Sequence, residues 1–242
     1  MLLVAGVCLA MVPGVASAAK AKQVTVRGNT LEYGVAAGAV KALAGTKVSV
    51  AENPKLKTVS KADGSFSLKV PAKLKVTLVA NAADHLVTYS PTQTRSASDR
   101  NSDFYLPSIA LARGLADYLK VPLNAARTAP KDCLVGTSTN VKAVRGLTTP
   151  QQIAAFGPIG LAGAQVTMKG AKDPWRKPLH FNSDGIPDPS FELTTKAGAS
   201  LFVGVPAGTY TVSASKAGSK FEQSFTATCK PGRYILGGFY ER

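Results

Sequence analysis

Leu43-Ala44-Gly45-Thr46-Lys47-Val48-Ser49-Val50 returns later in the chain as Leu161-Ala162-Gly163-Ala164-Gln165-Val166-Thr167-Met168. Each copy reads as a Gly turn followed by a strand in which alternate residues are apolar. Val70-Pro71-Ala72 and its alternating tail return in the same way, as Val205-Pro206-Ala207-Gly208-Thr209-Tyr210-Thr211-Val212. One β plan used twice accounts for both matches. The first pair of blocks is offset by 118 residues and the second by 135, which places an insertion in the second copy at about residues 175–191.

Outward from these blocks the chain is punctuated as β proteins are. Gln23-Val24-Thr25-Val26-Arg27-Gly28 alternates and stops at Gly28-Asn29. Asn53-Pro54 predicts a turn, with a new strand beginning at Thr58. Ala62-Asp63-Gly64 is a hairpin signal, and Ser65 to Val70 alternates with Phe66, Leu68 and Val70 on the inward face. Pro71 ends that strand, and residues 74–80 alternate again. In the second copy, strands are expected from Cys133 to Val141, from Lys220 to Cys229 and from Tyr234 to Tyr240.

The order of strand, Leu-Ala-Gly block, Asp63-Gly64-x-Phe66-x-Leu68-x-Val70-Pro71-Ala72 and alternating strand resembles the carboxypeptidase regulatory-like, or transthyretin-like, β-sandwich family. The resemblance spans about residues 22–90 and returns in the second half. Lys73 stands where the family commonly has Gly, and Leu74-Lys75 replaces the Tyr that usually follows; Gly208 and Tyr210 keep both features in the second copy. The resemblance implies a mainly β protein of two transthyretin-like, Ig-like sandwiches. The boundaries are 1–18 for a signal peptide, 19–106 for the first sandwich, 107–131 for a helical linker and 132–242 for the second sandwich.

The linker is predicted because residues 107–119 lose alternation. Ile109, Ala112, Ala116 and Leu119 fall at helical spacing, Ser108 can cap the helix, and Pro122 ends it. A second short helix is predicted from Thr148 or Thr149 to Phe156.

The apolar run from Leu2 to Val12, the break at Pro13-Gly14 and Ala16-Ser17-Ala18 read as an export signal, cleaved or retained as an anchor, with a buried segment of the fold as the remaining alternative. The run is too short for a stable membrane span. Cys8 leaves with a cleaved signal, so Cys133 and Cys229 remain as a pair in an oxidising compartment. They form either a disulfide or two separate buried thiols; the pairing would make the strands that carry them neighbours. Export places the protein outside the cell, in the periplasm or on the cell envelope.

The net charge of +15 is spread along the chain, without a basic block and without interleaved aromatics. The charge is either a basic but otherwise ordinary solvated surface or a general attraction to anionic surfaces, in which case the partner is an anionic envelope polymer or protein; it points away from nucleic acid.

No catalytic constellation emerges. His85 and His180 have no Glu or second His at helical spacing, which a zinc site would need, and there is no Gly-x-Ser-x-Gly elbow or phosphate loop. No cofactor is implied. The insertion carries what ligand character there is. Asn182, Asp184 and Asp188 place oxygens at intervals like the start of a calcium loop, but a Ser-Asp-Gly turn explains the same residues. Trp175, Arg176, Lys177, His180 and Phe181 are the candidate ligand contacts, Trp175 serving either to stack on a partner or to cover the sandwich end. The expected function is a non-catalytic binding or accessory module. The rivals are a structural spacer and a hydrolase built sparsely on His180 or Asp184 in the insertion.

Overall fold

A computed structural model describes residues 22–33, 41–99, 102–142, 152, 159–170, 177–221 and 224–242. The segment 1–18 expected to be a signal, with Cys8, the candidates Trp175 and Arg176, and the helix predicted at 148–156, apart from Gln152, lie outside the described residues.

The duplication is written in the strand ladders. In the first copy β1 (Gln23–Tyr33) pairs antiparallel with β5 (Ser65–Pro71) and parallel with β10 (Phe104–Pro107). In the second, β11 (Cys133–Asn140) pairs antiparallel with β15 (Ala199–Val205) and parallel with β18 (Tyr234–Tyr240). The facing layers repeat as well. β3 (Lys47–Val50) pairs with β7 (Leu78–Asn81) through Lys47↔Asn81 and Val50↔Leu78. β12 (Gln165–Gly170) pairs with β16 (Gly208–Ser215) through Gln165↔Ser215 and Met168↔Val212, the same register. Gly45 and Gly163 both adopt positive φ (72° and 78°) at the turn into these strands, a conformation that costs a side chain energy and Gly nothing.

Each copy has its own apolar core. The first gathers Val26, Val48, Val50, Phe66, Leu68, Val70, Leu78 and Leu106. The second gathers Val135, Val166, Met168, Phe202, Val205, Tyr210, Val212 and Ile235. Burial of each such side chain stabilises the fold by about 1.5–3 kcal/mol.

The two cores share one sheet. β4 (Asn53–Val59), β3, β7 and β8 (Thr88–Tyr89) continue through β18, β11, β15, β13 (Leu179–Phe181) and β14 (Pro187–Asp188) as nine hydrogen-bonded strands. The junction is the parallel pairing Tyr234↔Thr88 and Ile235↔Tyr89. Paired residues project to one face, and alternate pairs to opposite faces. Leu78, Ala80 and Thr88 therefore face the first core, whereas Val79, Tyr89, Ile235 and Val135 lie on the other face, where the second core sits. The β1–β5–β10 layer covers one face of the sheet, and the layer of β12, β16 and β17 (Phe225–Cys229) covers the opposite face further along. Tyr89, a residue of the first copy, packs against the second core, and the Arg233 guanidinium lies 4.6 Å from its ring centroid. Thr92 adds a bridge to Thr226. Two short pairs, β1 with β2 (Lys41–Ala42) and β6 (Lys75–Val76) with β9 (Gln93–Thr94), complete the described strands.

Several expected boundaries move. β1 does not stop at Gly28-Asn29. A Cβ on Gly28 would lie 2.4 Å from the Ser102 carbonyl oxygen, so this Gly permits a close backbone approach within a continuing strand. Asn29 is buried there, and its amide donates to Asp103 at 2.7 Å. The turn after β3 falls at Ala51-Glu52. Asn53-Pro54 instead opens β4, an edge strand, where Pro is tolerated; β4 ends near the point at which a strand was expected to begin. Ala62-Asp63-Gly64 does turn, but β4 and β5 belong to different sheets, so the turn carries the chain across the first core. β17 begins at Phe225, later than expected.

Helix α1 (Ile109–Leu119) forms with Ser108 as its cap, the Ser108 hydroxyl accepting from the Leu111 amide at 3.2 Å. It ends at Lys120 in the left-handed conformation, two residues before Pro122. Cys133 and Cys229 are disulfide-bonded, with Cα atoms 5.5 Å apart. They are neighbours across the sandwich and not along a ladder: β11 belongs to the nine-stranded sheet and β17 to the three-stranded layer.

Candidate functional site

The described part of the insertion folds as a small hairpin. β13 and β14 pair through His180↔Asp188 and Phe181↔Pro187, and β13 is tied to β15 through His180↔Ser200. Residues 182–186 make the turn. The Asn182 side-chain oxygen accepts from the amides of Asp184 and Ile186, both at 3.0 Å. The Asp188 carboxylate accepts from the Ser190 amide at 2.8 Å, and its hydrogen bonds to Ser190 hold its pKa below the usual carboxylate value. Asn182 and Asp188 thus act as local caps of the turn, and Asp184 stands exposed. Among the described residues no three His, Cys, Asp or Glu side chains converge as a metal site.

His180 is 1% exposed. Its Nε2 lies 3.1 Å from the Glu192 carbonyl and its Nδ1 lies 2.9 Å from the Ser200 hydroxyl. A carbonyl only accepts, so a neutral ring carries its proton on Nε2 and accepts from Ser200 at Nδ1. Burial lowers the imidazole pKa, partly offset by the bond to Glu192. The ring is a fixed buried bracket between β13, β15 and the 190s loop, not a group presented to a ligand. Phe181 is buried beside it. Lys177 is exposed and pairs with Glu192 at 2.8 Å; this pairing raises the Lys177 pKa and lowers that of Glu192. Of the five candidate contacts, the structure therefore puts Lys177 at the surface and His180 and Phe181 inside.

A second surface becomes visible only through strand register. One cross-strand row on the nine-stranded sheet runs Ile235, Tyr89, Val79, Ser49, Lys57. Ile235 is inside the second core, Tyr89, Val79 and Ser49 are half-buried, and Lys57 is exposed. The next row on this face holds Asn81, Lys47 and Val59, all exposed. Neither row contains a carboxylate. The sequence signal was the alternation of Lys55 and Lys57 near Lys47, but their alignment with Tyr89 and Arg233 depends on the β8–β18 junction.

A buried polar cluster lies on the opposite side of the first copy. Arg95, 7% exposed, pairs with Asp99 at 2.5 Å, and the Ser102 hydroxyl donates to the same carboxylate. Next to it, burial pushes the Asp103 carboxyl up to about 6. The two bonds from Asn29 oppose that rise, and the charge of Asp99 adds to it. Arg95 and Asp99 pair with one another, and the Asp99 backbone bonds to Thr25 and Arg27 of β1, so the cluster ties this segment to that strand.

No family model and no curated protein matches the chain. Among solved structures, the chain overlays on the Bacillus anthracis TIE protein with 11% identity and a TM-score of 0.31, covering 90% of this chain and 34% of that one. A cohesin–X-dockerin complex of Acetivibrio cellulolyticus gives 15% identity and a TM-score of 0.31, covering 57% and 97%. The minor pilin of Streptococcus agalactiae gives 9% and 0.28, covering 90% and 95%. TM-scores this low do not establish a common topology; the architecture above rests on the ladders of the chain itself.

Proposed function

We propose that the chain is an exported, non-catalytic binding module of the cell envelope. It is built from two carboxypeptidase regulatory-like sandwiches at 19–106 and 132–242 with the 107–131 segment between them, and it engages an anionic polymer or protein partner. The observation that carries the reading is a contrast in how side chains are used. Cys133 and Cys229 are bonded to each other and His180 is enclosed with both ring nitrogens engaged, while Lys47, Lys57 and Lys55 stand exposed on a chain of net charge +15. The two cysteines and the His180 ring are thus occupied by structure, and the exposed lysines of β3 and β4 offer a cationic surface.

The test is retention. The mature protein is immobilised, exposed to envelope extract from its own cells and eluted with a salt gradient. The expected result is an anionic polymer or acidic protein released at moderate salt, as screening weakens surface attraction. An extract that leaves nothing bound at low salt contradicts the reading. A spacer role has one specific observation in its favour, the continuous sheet that fixes one core against the other. It predicts that function survives charge reversal of the lysine face and fails when the β8–β18 junction is broken.

A further inference from the structure

We propose that the open face of β7, β3 and β4 is a docking floor for a linear anionic polysaccharide, with Lys47 and Lys57 as its charge contacts. This rests on the binding reading above and gives it a place and a ligand class. The floor begins where Arg233 stacks on Tyr89, at the edge of the second core, and crosses Val79 and Ser49 to Lys57. With strands about 4.8 Å apart, Tyr89 to Lys57 spans about 14 Å, room for more than one sugar unit. Cations at both ends, a hydroxyl at Ser49 and a flat half-buried Val79 between them suit a chain that carries both carboxylates and hydroxyls.

An acidic peptide fits this place less well. Extended peptides add to sheet edges through backbone hydrogen bonds. The edge here is β4, where Pro54 lacks an N–H and the exposed Lys55 and Lys57 discourage strand addition. The register-matched positions of the second copy are Gln165 and Thr167 in place of Lys47 and Ser49, so the lysine is not repeated in kind, and among the described residues no strand flanks β12 as β4 flanks β3. The same lysines would also be present if their task were only to protect an edge strand, so the experiment separates the two roles.

Binding of the full mature chain to polygalacturonate is measured by titration calorimetry at low salt for three proteins. These are the wild type, Lys47→Glu/Lys57→Glu, and the charge-matched control Lys196→Glu/Lys220→Glu, whose sites are exposed on the second copy. The expected result is a loss of about tenfold for the floor variant and about twofold or less for the control. Equal losses in both variants overturn the site and leave a diffuse charge attraction, with the binding reading intact. Absence of wild-type binding to polygalacturonate, with retention of poly-glutamate, overturns the polysaccharide in favour of an acidic protein. Absence of binding to both polymers, together with an empty envelope elution, overturns the site and the binding reading together. A circular dichroism spectrum and melting temperature matching the wild type establish that each variant is folded.

Discussion

The two copies share a frame and differ in how they close it. After Val205-Pro206-Ala207 the second copy goes directly into β16, and Tyr210 is buried with its hydroxyl donating to the Pro206 carbonyl at 3.1 Å. Gly208 is required beside it, since a Cβ there would sit 2.9 Å from that hydroxyl. In the first copy the chain after Val70-Pro71-Ala72 carries one more residue before the matched rung at Leu78, and Lys73 absorbs it in a left-handed turn at φ 63°. The register makes Val76 the counterpart of Tyr210. The second copy thus secures its sandwich with a buried phenol and a disulfide, and the first with smaller side chains and a buried polar cluster. The same fold tolerates either solution because the β1–β5 and β11–β15 ladders, with their parallel partners, are common to both.

Removing the features peculiar to one copy is the direct way to challenge this contrast. Replacing Cys133 and Cys229 by Ala should cost the most, about 2–5 kcal/mol, because the bridge closes a 96-residue separation across the second sandwich. Urea unfolding of the variant checks it, and a loss below 1 kcal/mol would mean that the bridge constrains little. Tyr210→Val, which gives the second copy the residue of the first, should cost about 2–4 kcal/mol through an unfilled core and a lost hydrogen bond. If it is neutral, the phenol is not what closes the second sandwich.

The position just before the parallel strand supplies a third difference: Arg233 in the second copy, and the enclosed Asp103 in the first. The folded state holds the Asp103 proton up to about pH 6, and the unfolded chain only to about pH 3.9. The folded state therefore binds more protons in that window, and stability falls as pH rises through it. D103N keeps an oxygen to accept from Asn29 and removes the buried charge. It should raise stability at pH 7 by about 1–2 kcal/mol and flatten the slope between about pH 4 and 6. A pH–stability curve that D103N leaves unchanged would remove the charge from the account. The smallest effect is expected from Lys73→Gly, a gain of up to about 1 kcal/mol from relieving the left-handed conformation, set against Gly's greater freedom when unfolded. A melting temperature lower than wild type would indicate that the Lys side chain contributes contacts of its own.

What the sequence disclosed follows from what is local. Alternation at residues 65–70 and the paired Gly45 and Gly163 turns are properties of a few adjacent residues, and they appear in the structure as read. So does α1, whose cap and helical spacing are local. Gly28-Asn29 misleads because the same dipeptide serves a turn or a close approach, and only the distant Ser102 carbonyl distinguishes them. Asn53-Pro54 misleads because Pro is compatible with a turn or with an edge strand, and the edge is set by tertiary pairing. His180 reads as a free loop histidine until Ser200 and Glu192, twenty and twelve residues away, enclose it. The β8–β18 junction has the least sequence signal of all, being a two-residue strand paired with another more than a hundred residues on.

That junction is what makes the two copies one body and lines Tyr89 and Arg233 up with the lysine face. Native-state amide hydrogen exchange across β8 and β18 tests it most directly. The account predicts that the hydrogen-bonded amides of the Thr88–Tyr89 and Tyr234–Ile235 pairing are protected to the level of the core strands β3 and β11. Exchange of those amides at loop rates, with both cores still protected, would contradict it.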